Sequence, residues 1–235
     1  MSFSAFIRSF RPQKSLATYR EKLRSGVAGG IAIFLLAWAL YSVPQHQYPL
    51  LLLGSMAASA VLLFAAPHNP FAQPWNLAGG HLVSAIAGWV CSLLVPDPAL
   101  AAGLAVGSAI FLMYALNCLH PPGAATALTL VLASGQFHEM GWQWVAMIVI
   151  ANVLILLLLA LLINNLLPGR QYPAQPVAPH PISPEPGVLP EQQDFAWALQ
   201  QMDSVTEVNI DDLAEIYDKA QTHAKNRLDN RLKQS

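Results

Sequence analysis

Between residues 25 and 169 the chain has no lysine and no arginine, and only two carboxylates, Asp97 and Glu139. Charged residues are 11% of the 235-residue sequence, less than half of the roughly 25% usual in a soluble domain. A soluble fold built from that stretch would expose an apolar surface far beyond the few hundred Å² that remain soluble. The central segment therefore lies in a bilayer. The sequence also has few cysteines: Cys91 and Cys118 both sit in or beside apolar stretches and form no CxxC pair. That excludes a disulfide framework and a thiolate metal site. No excess of basic charge marks a nucleic-acid surface, because the net charge is −1 and the Lys and Arg residues lie at the two ends.

What is present is apolar and segmented. All 12 Lys and Arg flank the central block, six from Arg8 to Arg24 and six from Arg170 to Lys233. The basic residues before the first apolar run are followed by no small-residue cleavage signature, so they read as a retained cytoplasmic segment. A helix needs about 20 apolar residues to cross the hydrocarbon. Candidate spans are Gly26–Val43, Pro49–Ala66, Asn76–Val95, Ala99–Leu119, Pro122–Met140 and Trp142–Leu167. The fifth is the weakest, since its strongly apolar part runs only from Ala124 to Ala133. An even number of spans puts both basic flanks in the cytoplasm, as the positive-inside rule asks. Five spans with a re-entrant half-helix would instead put the tail outside. The expected fold is all-α: a polytopic membrane helix bundle of six spans, some broken or half-length, in a bacterial inner membrane.

Small residues recur four apart within these spans: Gly26 with Gly30, Gly54 with Ala58, Ser84 with Gly88, and Gly103 with Gly107. In lipid, such faces let helix backbones approach and hold helices together, within a chain or between copies of it in a homo-oligomer. A weak repeat is visible as well. Residues 27–30 read Val-Ala-Gly-Gly and residues 77–80 read Leu-Ala-Gly-Gly; Gly54-Ser55 and Gly107-Ser108 follow in the next helices. Those helices end in Pro67-His68-Asn69-Pro70 and His120-Pro121-Pro122. Two spans per unit would put both His/Pro loops on one side of the membrane.

After Arg170 the character changes. Residues 171–190 hold seven prolines and read as an extended linker without a core. Asp194–Met202 and Ile210–Leu228 read as tail helices. Asn209 suits an N-cap, and Leu213, Ile216, Tyr217, Ala220 and Ala224 form one apolar stripe that needs a partner surface.

The stretch that carries chemistry is Asn117-Cys118-Leu119-His120-Pro121-Pro122-Gly123-Ala124-Ala125-Thr126-Ala127. Proline cannot continue the fourth helix, and the residue before each proline is pushed out of the α region. The break falls at His120, and the prolines suit the first turn of the next helix. Gly123 would permit close approach of a ligand. The amides of Gly123, Ala124 and Ala125, with the helix dipole, would favour a small anion there. Broken helices at membrane depth are tolerated where they line a cavity or are buried in protein, an architecture common in transporter binding sites.

This block, with the Gly/Ala-rich spans before it, resembles the HPP family of integral membrane proteins over roughly residues 20–168. The resemblance implies a small multi-span domain with transport activity. Members in chloroplasts and cyanobacteria are associated with nitrite movement. Many bacterial relatives carry a pair of CBS domains after the spans. The stretch after residue 170 is too short for such a pair, so nucleotide regulation is not carried over.

The candidate substrate-binding set is His120, Pro121, Pro122, Gly123, Ala124, Asn117, Thr126, His68, Asn69 and His81. The histidines either converge on one cavity, supplying donors or a proton to an anion, or simply hydrogen-bond broken helix ends. They lack any local ligand spacing such as HxxxH, so no metal and no cofactor is expected. Asn69, Asn76 and Asn117 are uncharged donors, suited to an anion and equally to helix ends. Ser55, Ser108 and Thr126 suit helix–helix contacts. Asp97, Glu139 and the tryptophans Trp75, Trp142 and Trp144 suit membrane interfaces.

No carboxylate pair, nucleophile–base pair or phosphate loop marks an enzyme or an ATPase. Transport of a small monovalent anion, nitrite favoured, is the leading expectation. A receptor or scaffold acting through its cytoplasmic tail is the alternative, and an intramembrane enzyme using His120 or Cys118 is a third class. With both basic flanks on one side, a reporter fused at Ser235 should read as cytoplasmic; an external reading would mean that the fifth segment does not cross.

Overall fold

The computed structural model describes Phe10, residues 17–43, residues 51–174 and Tyr217. The chain forms two compact units, Met1–Lys22 with Leu189–Ser235, and Leu23–Val188. Within the first, Thr18 Oγ1 accepts the Glu21 amide at 3.2 Å and opens the first helix. The expected tail helices lie outside the described residues, apart from Tyr217, which is helical.

Among the described residues the structure is all helical. In chain order the elements are α1 (Tyr19–Ser42), α2 (Ser55–Ala65), a 3-10 turn (Pro70–Ala72), α3 (Pro74–Leu94), α4 (Pro98–Ala115), α5 (Pro121–Leu132), α6 (Ser134–Met140) and α7 (Trp142–Leu166). Four of them, α1, α3, α4 and α7, are long and apolar enough to cross a membrane. The other two expected spans are shorter than anticipated. At 1.5 Å per residue, the 11 residues of α2 and the 12 of α5 reach about 16 and 18 Å, against about 30 Å of hydrocarbon. Residues 51–54 of the second candidate span are not helical, and residues 44–50 lie outside the described residues. The fifth candidate breaks at Ala133 into α5 and α6. The fourth ends at Ala115 rather than Leu119 because Asn117 turns left-handed at φ 52°. The amides of Asn117 and Cys118 then bond back to the carbonyls of Tyr114 and Met113, the usual way of closing a helix C-terminus.

Two apolar clusters form the core. One joins α1, α2 and α7, with Ala28, Ala32, Leu36 and Leu40 from α1 meeting Met56, Leu63 and Phe64 and the α7 face Ile148, Val149 and Leu156. The other joins α3, α4 and α5 through Ala87, Ala101, Ala105, Ala109, Met113, Ala127 and Val131. The α4 residues in it recur every fourth position, so one narrow alanine face is turned inward. Helix α3 packs on α4, α5 and α7 and is the central element. Large apolar side chains such as Phe34, Trp38, Phe111, Leu158 and Leu162 point outward, as lipid-facing residues do.

The half-length α2 is held at both ends by asparagines of α7. Asn152 is fully buried; its Oδ1 accepts the Leu53 amide at 3.1 Å and its Nδ2 donates to the Leu51 carbonyl at 2.8 Å. Asn164 donates to the Leu63 carbonyl at 3.1 Å, at the other end of the same helix. The chain therefore enters α2 beside the middle of α7, and the two helices run parallel. Non-helical backbone at that depth has no water to turn to, so a side-chain amide takes the place of the missing turn.

One end of the bundle gathers the loops that follow α2, α4 and α7. Arg170 donates to Asn164 Oδ1 at 3.1 Å and to Ser25 Oγ at 2.9 Å, tying the end of α7 to α1. Tyr172 is buried; its hydroxyl donates to the Ala72 carbonyl at 2.7 Å, and burial holds its phenol well above the usual range. The two His/Pro loops do fall on one side, together with Ser25 and Arg170, which matches an even number of passes. Asn152→Leu should leave the Leu53 amide and Leu51 carbonyl unpaired, at a cost of about 1–3 kcal/mol. Thermal unfolding in detergent measures it; an unchanged midpoint would mean that water reaches this turn.

Candidate functional site

The site is built on the approach of α3 to the turn between α4 and α5. A Cβ on Gly79 would meet Cys118 Cβ at 2.7 Å, and one on Gly80 would meet His120 Cβ at 2.5 Å. Two adjacent glycines are needed because this turn lies directly against the α3 backbone. Further along the same face, a Cβ on Gly88 would meet the Ala127 carbonyl oxygen at 2.5 Å. Gly80, Ser84 and Gly88 thus form a stripe along which α5 lies almost backbone to backbone. Two α3 side chains fix the turn from outside: Asn76 donates to the Leu119 carbonyl at 2.9 Å and Trp75 to the Leu116 carbonyl at 3.3 Å.

His120 is extended at φ −137° and precedes Pro121, the first residue of α5. The break is where the sequence puts it, but Gly123 serves a different purpose from the one expected. Its amide donates to the His120 carbonyl at 2.7 Å, and a Cβ there would meet the Gly80 carbonyl oxygen at 2.7 Å. The close approach that Gly123 permits is that of α3, not that of a ligand.

Two histidines meet in the interior. His81 on α3 and His120 are both fully buried, with ring centroids 5.0 Å apart. Between them stands Ser59 of α2, whose Oγ is 2.9 Å from Nε2 of each ring. His81 Nδ1 lies 2.8 Å from Thr126 Oγ1 of α5, and Thr126 Oγ1 lies 2.8 Å from Ser55 Oγ at the start of α2. His120 Nδ1 is 2.7 Å from the Phe71 carbonyl oxygen.

That carbonyl fixes the direction of the whole chain. It can only accept, so His120 Nδ1 carries a hydrogen. With His120 neutral, Nε2 then accepts from the Ser59 hydroxyl. Ser59 Oγ accepts from His81 Nε2–H, His81 Nδ1 accepts from Thr126, and Thr126 accepts from Ser55. Five side chains from α2, α3, α5 and the His120 turn are all satisfied by one consistent set of hydrogens. No buried side-chain nitrogen or oxygen among the described residues lacks a partner.

The other candidate residues fall around this network in different ways. Pro122 and Gly123 are buried beside it, Ala124 is half-buried and Pro121 is exposed. Asn69 accepts the Phe71 amide at 2.8 Å and caps the 3-10 turn that presents the Phe71 carbonyl. His68 is half-buried before that turn and makes no hydrogen bond to the network. Asn117 is exposed and forms the left-handed end of α4. Thr126 and Ser55 do join helices, whereas Ser108 bonds to its own helix at the Leu104 carbonyl.

The small-residue pairs divide as sharply. Ser84 and Gly88 sit in a tight interface, while Gly26, Gly30, Gly54, Gly103 and Gly107 have no atom within 4 Å of an added Cβ. The repeat is likewise one of sequence and not of packing: Gly79-Gly80 is pressed against the turn, while Gly29 has only ordinary contact with Phe64. Ser59, which bridges the histidines, was missed. Its signal was its position four residues after Ser55, on the same face of an otherwise apolar helix.

The family model described as HPP, transmembrane region, matches residues 14–173. The chain belongs to the HPP family. Two transmembrane proteins of Dictyostelium discoideum are similar: one is 42% identical over 116 residues, covering 48% of this chain and 37% of the relative. The other is 40% identical over 132 residues, covering 54% of this chain and 46% of the relative. The match thus spans less than half the length of either relative. No solved structure matches the chain. Within the HPP bundle, Gly80→Ala and Gly88→Ala should each cost about 1–3 kcal/mol through overpacking. Gly103→Ala, in open space, should be neutral or slightly stabilising. Melting of the three variants in one detergent tests the contrast, and equal midpoints would remove the glycine stripe from the packing.

Proposed function

We propose that this HPP protein is a transporter or channel for a small monovalent anion, with nitrite favoured, and not an enzyme. The observation that carries the reading is the buried His81–Ser59–His120 bridge, set between two half-length helices at the His-Pro-Pro turn. Ionisable side chains inside a membrane bundle are costly, and they mark substrate or ion pathways more often than packing. Half-length helices that start within the bundle are how transporter sites present polar groups at depth. Helix α2 begins beside Asn152, so the positive end of its dipole lies at the inner end of the network, next to Ser55 and Thr126.

The chemistry of the donors favours a weakly hydrated, singly charged anion. The network offers hydroxyls and imidazole N–H groups, and residues 25–169 contain no lysine or arginine. Neutral donors hold an anion loosely and release it quickly; they could hardly offset the dehydration of a dianion. Both termini are assigned to the cytoplasmic side, from the six basic residues on each flank.

Purified protein in liposomes should give nitrite entry that saturates with concentration and exceeds that of protein-free vesicles. His120→Ala should reduce it strongly, with the variant still monodisperse in detergent. Absence of flux in the unmodified protein would reject transport in favour of a scaffold acting through its tail.

A further inference from the structure

The Ser59 hydroxyl has a third neighbour. Besides the two imidazoles, its Oγ lies 3.1 Å from the Ser55 carbonyl oxygen, one turn earlier on α2. A serine has one hydrogen to give and two lone pairs, so it cannot donate to His120 and to Ser55 together. In the neutral arrangement the hydrogen points to His120 Nε2. If it turned to the Ser55 carbonyl, Ser59 Oγ and a bare His120 Nε2 would face each other lone pair to lone pair at 2.9 Å. One added proton resolves that conflict. With a hydrogen on Nε2, His120 donates from both nitrogens, to Phe71 O and to Ser59 Oγ. Ser59 then accepts from His120 and His81 and donates to the Ser55 carbonyl. Thr126 and Ser55 keep their roles.

The cluster therefore has a neutral arrangement and one protonated at His120 in which its internal hydrogen bonds are consistent, and they differ by one proton and one hydroxyl rotation. We propose that His120, bridged by Ser59 to His81, takes up one proton together with each anion, making transport an electroneutral one-to-one symport. This rests on the anion reading above. In the binding step a hydronium ion of the solution gives up one O–H bond, and its proton forms the Nε2–H bond of His120. The Ser59 O–H turns from His120 to Ser55, and no bond between heavy atoms changes. Release reverses the step.

The coupling follows from what surrounds His120. Among the described residues, the titratable groups packed around it are His81 from α3 and Cys118 from its own turn; α2 contributes only Ser59, and the 3-10 turn contributes backbone. The hydroxyl of Tyr172 is on the next carbonyl, that of Ala72. The only carboxylates in residues 25–169 are Asp97 and Glu139. Asp97 caps α4 at the opposite end of that helix from His120, and Glu139 lies near the end of α6. With no carboxylate beside it among the described residues, an imidazolium in a lipid-embedded bundle is strongly disfavoured. An arriving monovalent anion supplies the missing counter-charge, and the proton in turn supplies the charge the anion lacks. Each species favours the other, as linkage requires.

The test uses the full chain in two settings. In detergent and weak buffer, nitrite added to the protein should draw one proton from solution per anion bound, and His120→Gln should draw none. In liposomes carrying a pH dye, with the potential clamped by potassium and valinomycin, inward nitrite flux should acidify the lumen beyond the protein-free leak. It should not change with the clamped potential. Ser59→Ala, which removes the bridging oxygen, should lose the protein-dependent acidification. Nitrite flux that follows the potential without proton uptake would overturn the symport and leave anion transport standing. Undiminished proton uptake in His120→Gln would overturn the assignment to this histidine. Absence of nitrite flux and binding in the unmodified protein would overturn both readings. The stoichiometry of the unmodified protein decides the matter even if a variant fails to fold.

Discussion

The bundle depends on how closely the backbone of α3 can approach the turn between α4 and α5. At Gly79 and Gly80 the distance leaves no room for a methyl group, and much else follows from that contact. It seats Cys118 and His120 against α3. It brings the start of α5 within reach of Gly80, so that Gly123 must also be glycine, and it sends α5 along the stripe that ends at Gly88. His81 comes one residue after Gly80, and the same approach therefore sets the two imidazoles 5.0 Å apart. In a bilayer the gain from such contacts is dispersion and hydrogen bonding, since lipid tails are as apolar as leucine. Backbone-to-backbone packing is then the tightest join available.

The second constraint is the need to satisfy polar backbone away from water. The chain makes two helices too short to cross, and each exposes an end inside the protein. At α2 the answer is two asparagines of α7, twelve residues apart, one at either end of the helix. At α5 it is a histidine whose carbonyl receives the Gly123 amide while its ring reaches the Phe71 carbonyl. The groups that complete broken helices and the groups that form the buried polar network are thus partly the same. A residue such as Thr126 joins α5 to α2 and is also the donor that orients His81.

Much of this was legible in the sequence, for identifiable reasons. The charge gap from residue 25 to residue 169 required a membrane bundle, and the His-Pro-Pro run required a helix break at His120. Helix lengths were less legible: apolar composition continues through Leu51–Gly54, and nothing in hydropathy tells a helical apolar residue from a non-helical one, whereas the apolar part of the fifth segment stops at Ala133, where α5 ends. The small-residue pairs show the same limit. Gly103 and Gly107 have the spacing of Ser84 and Gly88 and face open space instead, because spacing describes a helix face and not what lies opposite it. Gly123 was read as room for a ligand since no single-chain pattern reveals that another helix already occupies that room. Asn152 and Asn164 lie in a long apolar run that the sequence reads only as a span, because their partners are about a hundred residues away, and Ser59 is hidden by the frequency of serine in such helices.

The 3-10 turn at Pro70–Ala72 is held from two directions by consecutive carbonyls. Phe71 O receives His120 from within the bundle, and Ala72 O receives Tyr172 from the segment that leaves α7. Gln73 adds a third tie, accepting the Ala174 amide at 2.9 Å while donating to the carbonyls of Pro67 and Asn69. The peptide plane between Phe71 and Ala72 is rigid, so the acceptor for His120 and the acceptor for Tyr172 stand one residue apart on the same short turn. The exit of the chain from the bundle and the acceptor that orients a deeply buried imidazole are thereby secured by one turn of three residues.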